Sequence, residues 1–379
     1  MTTTEHLADE LAGKIPAAWA DVIGAVDRAK FIPARIWVYD DRNEPQPIDQ
    51  DTDPQRWQQV VYSDIAIMTQ FDNGATTWPD TTGNHPTSSA SQPSLVLSML
   101  AALDMHDGHQ VLEIGTGTGY NAALLTARFG DDAVTTIEID PTVAQQARAC
   151  LTAAGYNPTV ITADGAVGYP AGAPYDRIIA TASVRSGELP YTWVTQTRPG
   201  AIIVTPWGPD YHNGVMARLV VDDNGTASGH LSSNLAFMRL RNQQDRACPL
   251  DNEETGDAQD TTTSLWVYEL VGDFSGALTV GLLVPNCHKI VEDDPDDEYH
   301  HLVRIHDPDT GSWATVDVRR GPAAHPVRQH GPRQLWDEIE RAHAWWVQHG
   351  RPNHSRLGVT VTDTEQWAWV DHTDQRVAL

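Results

Sequence analysis

The chain has 379 residues, 51 acidic against 25 basic side chains for a formal net charge of −26, three cysteines, and 40% hydrophobic against 20% charged residues. At roughly 100–200 residues per domain this length predicts two domains, and the apolar content excludes a disordered chain. No apolar run approaches the ~20 residues of a membrane span, the start Met1-Thr2-Thr3-Thr4-Glu5-His6 lacks the order of a signal peptide, and the charge repels phosphate backbones and anionic lipid. The expectation is a cytoplasmic protein with no nucleic-acid partner and no membrane. Cys150, Cys248 and Cys287 are too far apart for a metal knuckle and read as free thiols.

Residues 5–30 read as helix, ended by Phe31-Ile32-Pro33. Residues 39–54 read as a polar, proline-punctuated loop, and residues 71–88 as a second irregular stretch of a length that is usually functional. From Pro93 helix and strand alternate: helices over 93–103, 120–129 and 141–154, the last with proline in its first turn, and short strands over 110–114, 133–138, 159–162, 177–180 and 201–205. Such alternation predicts a parallel sheet covered on both faces. Past Leu240 the rhythm is lost. An acidic, apolar-poor linker leads to strand-like runs at 265–270, 277–284 and 302–305, hairpin turns near 307–311 and 363–366, and one helix between Gly331-Pro332 and Gly350.

The strongest local signal is Val111-Leu112-Glu113-Ile114-Gly115-Thr116-Gly117-Thr118-Gly119-Tyr120. A buried strand runs into a glycine-rich turn and then a helix, so a ligand can approach the main chain at a helix N-terminus. The dinucleotide fingerprint requires a glycine at 120, where this chain has tyrosine. An acid two positions before the first glycine suits the cationic groups of S-adenosylmethionine. Glu138 ends the next strand, where a carboxylate can accept ribose hydroxyls, and Asp164-Gly165 follows the third, where such folds contact adenine. The expected cofactor set is Glu113, Gly115, Thr116, Gly117, Gly119, Glu138, Asp164 and Gly165. The bland alternative is another Rossmann-type nucleotide site.

At these residues the chain resembles the protein-L-isoaspartate O-methyltransferases. Residues 111–125 look like the family's motif I. The segment Val26-Asp27-Arg28-Ala29-Lys30-Phe31-Ile32-Pro33 resembles its "VPR-x-x-F-V-P", Tyr62-Ser63-Asp64-Ile65-Ala66-Ile67 its "Y-x-D-x-A-L", and residues 173–182 its "APFDAIIVTAA". Its "T-I-S-Q-P" falls on Ser89-Ala90-Ser91-Gln92-Pro93, and its "KPGG…LPVG" on residues 198–208. The likeness spans about residues 19–241. It implies a Rossmann-like class I methyltransferase fold with an N-terminal helical segment, here extended by a C-terminal α+β domain. The expected division is 1–92 (helical and loop region with the active-site loop), 93–245 (cofactor core), 246–261 (linker) and 262–379 (peptide recognition).

Methyl transfer to a carboxylate requires no general base, because an aspartate with pKa near ~3.9 is already ionised. The site must strip water from it and align it. The resemblance implies Ser91 as the catalytic residue, orienting the carboxylate by a hydrogen bond; the plainer reading is an N-cap of the following helix. The implied substrate-facing set is Ser89, Gln92, Ser183, Arg185 and Arg239. No metal is expected: His106, His109, His300, His301 and His306 lack ligand spacing and read as surface or packing residues. The acidic run 292–298 reads as a solvated loop.

Departures lie on the substrate side. The family's "Q-T-I" is replaced by Ser88-Ser89-Ala90, its "AAP" by residues 182–185, and its "R-F-V-P-L" by residues 236–240. Roughly 120 further residues, about one domain, are expected to be absent from the repair enzyme. The whole chain resembles the variant methyltransferases that accompany ATP-grasp ligases in graspetide biosynthesis, including Gln329-His330-Gly331-Pro332-Arg333-Gln334-Leu335-Trp336, Trp345-Trp346 and Leu357-Gly358-Val359-Thr360-Val361-Thr362. That likeness implies a modified precursor peptide as partner, methylated on an aspartate that then closes to an aspartimide. Isoaspartate repair is the alternative, and a binding module with a degenerate site the reading from another class.

Overall fold

A computed structural model describes residues 4–14, 17–83, 85–212, 214–244, 257–294, 296–319, 321 and 324–378. They form two compact units. The first comprises Met1–Ala182, Pro190–Thr205 and Arg218–Ala227, the second Ser183–Leu189, Pro206–Ala217 and Ser228–Leu379.

In the first unit the single helix expected over 5–30 is broken. Helix α1 (Thr4–Leu11) runs toward Gly13 at φ +79°, a left-handed residue that ends a helix. The chain resumes as α2 (Ala17–Ala25) and a 3-10 turn over Arg28–Phe31 capped by Asp27. The expected polar loop is instead a hairpin of β1 (Arg35–Tyr39) and β2 (Pro45–Asp49). Asp40 closes its turn by accepting the N–H groups of Arg42 and Glu44 at 2.9 and 3.0 Å. Strand β2 lies at a sheet edge, where proline is tolerated. Helix α3 (Pro54–Val61) is followed by β3 (Ile67–Phe71) and β4 (Pro86–Ala90), giving the sheet order β2-β1-β3-β4. The stretch expected to be irregular through residue 88 therefore ends inside a strand.

The core follows in the expected order: α4 (Pro93–Leu103), β5 (Val111–Ile114), α5 (Tyr120–Phe129), β6 (Val134–Glu138), α6 (Pro141–Ala154), β7 (Thr159–Thr162) and β8 (Tyr175–Ala180). Proline opens both α4 and α6, and α6 stops at Gly155 with φ +92°. After the two-residue β9 (Val184–Arg185) of the second unit come α7 (Tyr191–Thr195) and β10 (Thr197–Gly208). Strand β5 pairs in parallel with β6 and β8, β6 with β7, and β8 with β10. The order β10-β8-β5-β6-β7 reverses direction at β5. A parallel sheet opens its ligand crevice at such a point, at the carboxyl ends of the strands.

The second unit takes the end of β10, the start of β11 (Val215–Val221) and most of β12 (Ala227–Asn234), two strands that the sequence reading had missed. Its separate five-stranded sheet has the order β13-β17-β16-β15-β14, built from β13 (Gln259–Thr263), β14 (His288–Asp294), β15 (Asp297–Asp307), β16 (Ser312–Val318) and β17 (His325–His330). The expected linker 246–261 lies outside the described residues as far as 256, and its end already belongs to β13. The runs expected as strands at 265–270 and 277–284 are helices, α8 (Val267–Val271) and α9 (Phe274–Leu283). Asp273 caps α9 by accepting the Gly276 N–H at 2.7 Å. Helix α9 is buried on nearly every side, so its sequence carries no period by which to tell helix from strand. Helix α10 (Leu335–Gln348) packs Leu335, Trp336, Ile339 and Ala342 into a core with Val280, Val303, Ile305 and Val316. The hairpins through 307–311 and between β18 (Leu357–Val361) and β19 (Gln366–Val370) stand as expected.

The acidic run is the β14–β15 hairpin rather than a loop. Across it Glu292 meets Arg304 at 2.9 Å, Asp293 meets His301 at 2.7 Å and Asp294 meets His300 at 2.7 Å. These pairings let so acidic a segment lie as a strand. Cys150 and Cys287 are free thiols; Cys248 falls outside the described residues.

Candidate active site

At the carboxyl end of β5 the chain turns through Gly115 at φ +95° and Gly117 at φ +53°. A Cβ on Gly115 would stand 3.0 Å from Thr181 Oγ1, and one on Gly117 3.2 Å from the Ser89 carbonyl oxygen. Backbone conformation and lack of room both call for glycine. The N–H groups of Gly115 and Thr116 both donate to the Ile137 carbonyl, at 2.9 and 3.1 Å, which binds the loop to β6. Gly119 then caps α5 with φ +88°.

Glu113 faces inward. Its carboxyl group, fully buried, accepts the Asn121 amide at 2.6 Å and the Thr136 hydroxyl at 2.5 Å. Burial pushes its pKa up to about 7, against the lowering effect of those two hydrogen bonds. Register puts Glu113 opposite Thr136, whose Oγ1 lies 2.6 Å from Thr116 Oγ1. The expectation that Glu113 meets the cofactor's cationic groups is therefore corrected. With no surface of its own, it acts on a ligand only by holding α5, β6 and the glycine loop together. Thr116, expected beside the ligand, belongs to the same buried chain of hydroxyls.

Glu138 stands at the end of β6 and accepts the N–H groups of Gly117 at 2.9 Å and Asp140 at 3.1 Å. This joins the predicted ribose carboxylate directly to the loop. Asp164 accepts the Ala166 N–H at 2.9 Å and so shapes the turn after β7. Within that turn Gly165 is so close to β5 that a Cβ would stand 2.5 Å from Ile114 Cγ2. These residues fit S-adenosylmethionine: a cradle that side chains would fill, with a carboxylate tied to its rim.

Ser91 lies between β4 and α4, yet it is not the helix cap. The N-cap position is Gln92, whose side chain makes no capping bond. Asp64 takes that role from a distant turn, accepting the Ser94 N–H at 2.9 Å. Gln92 Nε2 reaches Ser94 Oγ at 3.1 Å and Asp64 at 3.4 Å. Among the described residues no group hydrogen-bonds the Ser91 hydroxyl. The contact of the Ser89 carbonyl with Gly117 lays the end of β4 over the glycine loop, so Ser89 and the cofactor cradle come together.

The remaining three substrate-facing candidates belong to the second unit. Ser183 is buried and bonded through its backbone to Met238 and Leu240, at 2.7 and 2.9 Å. Arg185 and Arg239 converge on the carboxylate of Asp210, at 2.9 and 3.2 Å. Arg239 also donates to the Pro209 carbonyl at 3.0 Å. His288 and His306 stack, and among the described residues no group of three His, Cys, Asp or Glu could hold a metal ion.

Sequence reasoning missed Arg28 and Asp64 as site residues. Both lie in the quoted segments that resemble the family, but their partners are 28 or more residues away, where no spacing rule reaches.

A family model described as Protein-L-isoaspartate(D-aspartate) O-methyltransferase (PCMT) matches residues 7–245. The protein-L-isoaspartate O-methyltransferase of Ignicoccus hospitalis is 43% identical over 118 residues, 31% of this chain and 55% of that protein. That of Methanosarcina mazei is 41% identical over 152 residues, 40% of this chain and 61% of that protein. This chain thus spans less than two thirds of either relative. A solved structure named protein-L-isoaspartate O-methyltransferase matches 97% of this chain and 100% of its own, with TM-score 0.54 at 20% identity, a likeness of fold. The match runs through the C-terminal unit, which overturns the expectation that this surplus is foreign to proteins of that name. Among the described residues no helix is long and apolar enough to cross a membrane. With the family model covering residues 7–245, more than half of its length, this chain belongs to the protein-L-isoaspartate(D-aspartate) O-methyltransferase family.

Proposed function

We propose that this chain transfers the methyl group of S-adenosylmethionine to an aspartate-derived side-chain carboxylate in a peptide. The observation that carries the reading is the Ser91 hydroxyl, without a partner among the described residues, on a segment laid over the glycine loop by the Ser89–Gly117 contact. The cofactor supplies an activated methyl group on a sulfonium. Gly115, Gly117 and Gly119 would let it approach the main chain, Glu138 would accept its ribose hydroxyls, and the Asp164 turn would hold its adenine. Ser91 would donate a hydrogen bond to one oxygen of the substrate carboxylate and so orient the other for methylation. Alignment and loss of water, rather than proton transfer, lower the barrier.

An isoaspartyl residue is the first substrate candidate, since the family match extends over residues 7–245 and the fold likeness over the whole chain. A second reading is an ordinary aspartate in a ribosomally made, crosslinked peptide of the graspetide type. It is favoured by the departure of Ser88-Ser89-Ala90, on the strand over the loop, from the family pattern. There the next backbone nitrogen attacks the ester, methanol leaves and an aspartimide remains; an ATP-grasp ligase is the partner that installs the crosslinks.

Mass spectrometry of the enzyme with cofactor and three peptides separates these readings. Methyl gain on a synthetic isoaspartyl peptide alone supports the first. Methyl gain followed by net loss of water on a crosslinked precursor, and not on its linear form, supports the second. No transfer to any of them, with S-adenosylhomocysteine still bound, leaves a binding module. In the active case Ser91→Ala is expected to slow turnover about 10- to 100-fold while S-adenosylhomocysteine affinity stays within twofold. Unchanged turnover would remove Ser91 from the mechanism.

A further inference from the structure

Arg28 is fully buried, and among the described residues no carboxylate forms an ion pair with it. Its guanidinium instead gathers main-chain carbonyls. Nη1 donates to Val61 and Ser63, each at 3.0 Å. Nη2 reaches Ile65 at 3.0 Å, Ala90 at 3.4 Å and Ser91 at 3.0 Å. The Tyr120 ring, at the start of the helix that leaves the glycine loop, lies 5.9 Å from its guanidinium carbon.

These acceptors come from two segments. One is the turn that carries Asp64, the residue capping α4; the other holds Ala90 and Ser91. A planar fork of donors can join two strands of chain at fixed spacing and angle, which a point charge cannot do. Burial lowers the pKa of Arg28 to about 10, so it remains a cation at neutral pH. A buried cation whose hydrogen bonds all go to carbonyl dipoles, with the Asp64 charge and the Tyr120 ring near but not bonded to it, is costly to keep for packing alone.

We propose that Arg28 is the positioning residue of the methyl-transfer site, setting the Ser91 hydroxyl over the glycine loop by clamping the Ser91 and Ala90 carbonyls to the Asp64 turn. The inference rests on Ser91 as the orienting group, and its test has an arm independent of substrate.

In that arm, amide hydrogen exchange of Arg28→Lys is compared with the parent protein. Segments 61–65 and 88–94 are expected to exchange at least tenfold faster while 111–120 is unchanged, and S-adenosylhomocysteine affinity stays within twofold. Unchanged exchange at 88–94, or faster exchange throughout, overturns the clamp. The second arm measures kcat and KM with the peptide that proves active, beginning with a synthetic isoaspartyl peptide. Arg28→Lys is expected to lower kcat about tenfold, and Arg28→Lys/Ser91→Ala to be no slower than Ser91→Ala alone. Multiplying losses would show that Arg28 acts on stability and not through Ser91. If no peptide is turned over, the exchange arm still decides the clamp and only the substrate reading fails.

Discussion

The cofactor cradle and the second unit hold their polar groups in place by opposite means. In the cradle the main chain does most of the holding: Gly115 and Thr116 share the Ile137 carbonyl, and the Gly117 N–H meets Glu138. In the second unit long charged side chains span the elements. Arg333 donates to Asp307 at 2.9 Å, forms a two-point pair with Glu338 and reaches the Pro285 carbonyl at 2.9 Å. Main-chain geometry leaves a surface shaped for a ligand but intolerant of any added Cβ. Side-chain charge tolerates exchange of its neighbours, but fails when one member is lost.

The largest expected effect tests the intolerance of the cradle. Gly115→Val places a β-branched residue at φ +95° against Thr181. Calorimetry should show S-adenosylhomocysteine binding weakened more than 100-fold in a protein with normal circular dichroism; retained affinity would mean that the loop adapts. The second unit is tested by Arg333→Ala, which takes the cation from Asp307, a carboxylate with a 2% exposed side chain that keeps the Thr310 hydroxyl and the Asp309 N–H. Breaking such a buried pair costs about 3 kcal/mol, read as a lower denaturant midpoint. Cofactor affinity should stay within twofold if the cradle is held by its own backbone, and a parallel loss of affinity would break the contrast.

A smaller, pH-dependent effect belongs to Glu113, the fully buried carboxyl group behind the cradle. Its folded pKa, about 7, lies above the ordinary carboxyl value of 4.5, so the folded state binds the proton more tightly than the unfolded state. Stability from this group is complete below pH 4.5 and is lost as pH rises through 7. Glu113→Gln removes the titration. Relative to the variant, the parent protein should lose up to ~3 kcal/mol between pH 4.5 and 8, measured by urea unfolding. A difference independent of pH would place the Glu113 titration outside that window.

The parts legible in the sequence are those whose causes are local. Proline at the first turns of α4 and α6, glycine after α6 and the fully buried, mostly apolar β5 are signals within a few residues, and those elements lie where expected. Helix α9 was misread because Phe274-Ser275-Gly276-Ala277-Leu278-Thr279-Val280 is buried almost all round and shows no polar stripe, although Asp273 marks its start. Strand β2 and the acidic end of β14 read as loops in the sequence because their stability comes from partners: a capped turn for one, cross-strand histidines and Arg304 for the other. The same division holds at the site. The glycine loop and Glu138 stand side by side at the strand ends to which spacing assigns them, whereas the inward direction of Glu113 has no local signal. Asp64 caps a helix from 30 residues away, and Arg28 binds carbonyls as far as 63 residues off.

Every acceptor of Arg28 is a peptide carbonyl, a group that all twenty amino acids supply. Residues 61, 63, 65, 90 and 91 can therefore change identity over evolutionary time without loosening the anchor, provided their main-chain path is kept. Selection for a new peptide can rewrite the side chains of β4 while the scaffold beneath them stays constant. A fold anchored in this way separates the side chains a strand displays from the path that the strand follows.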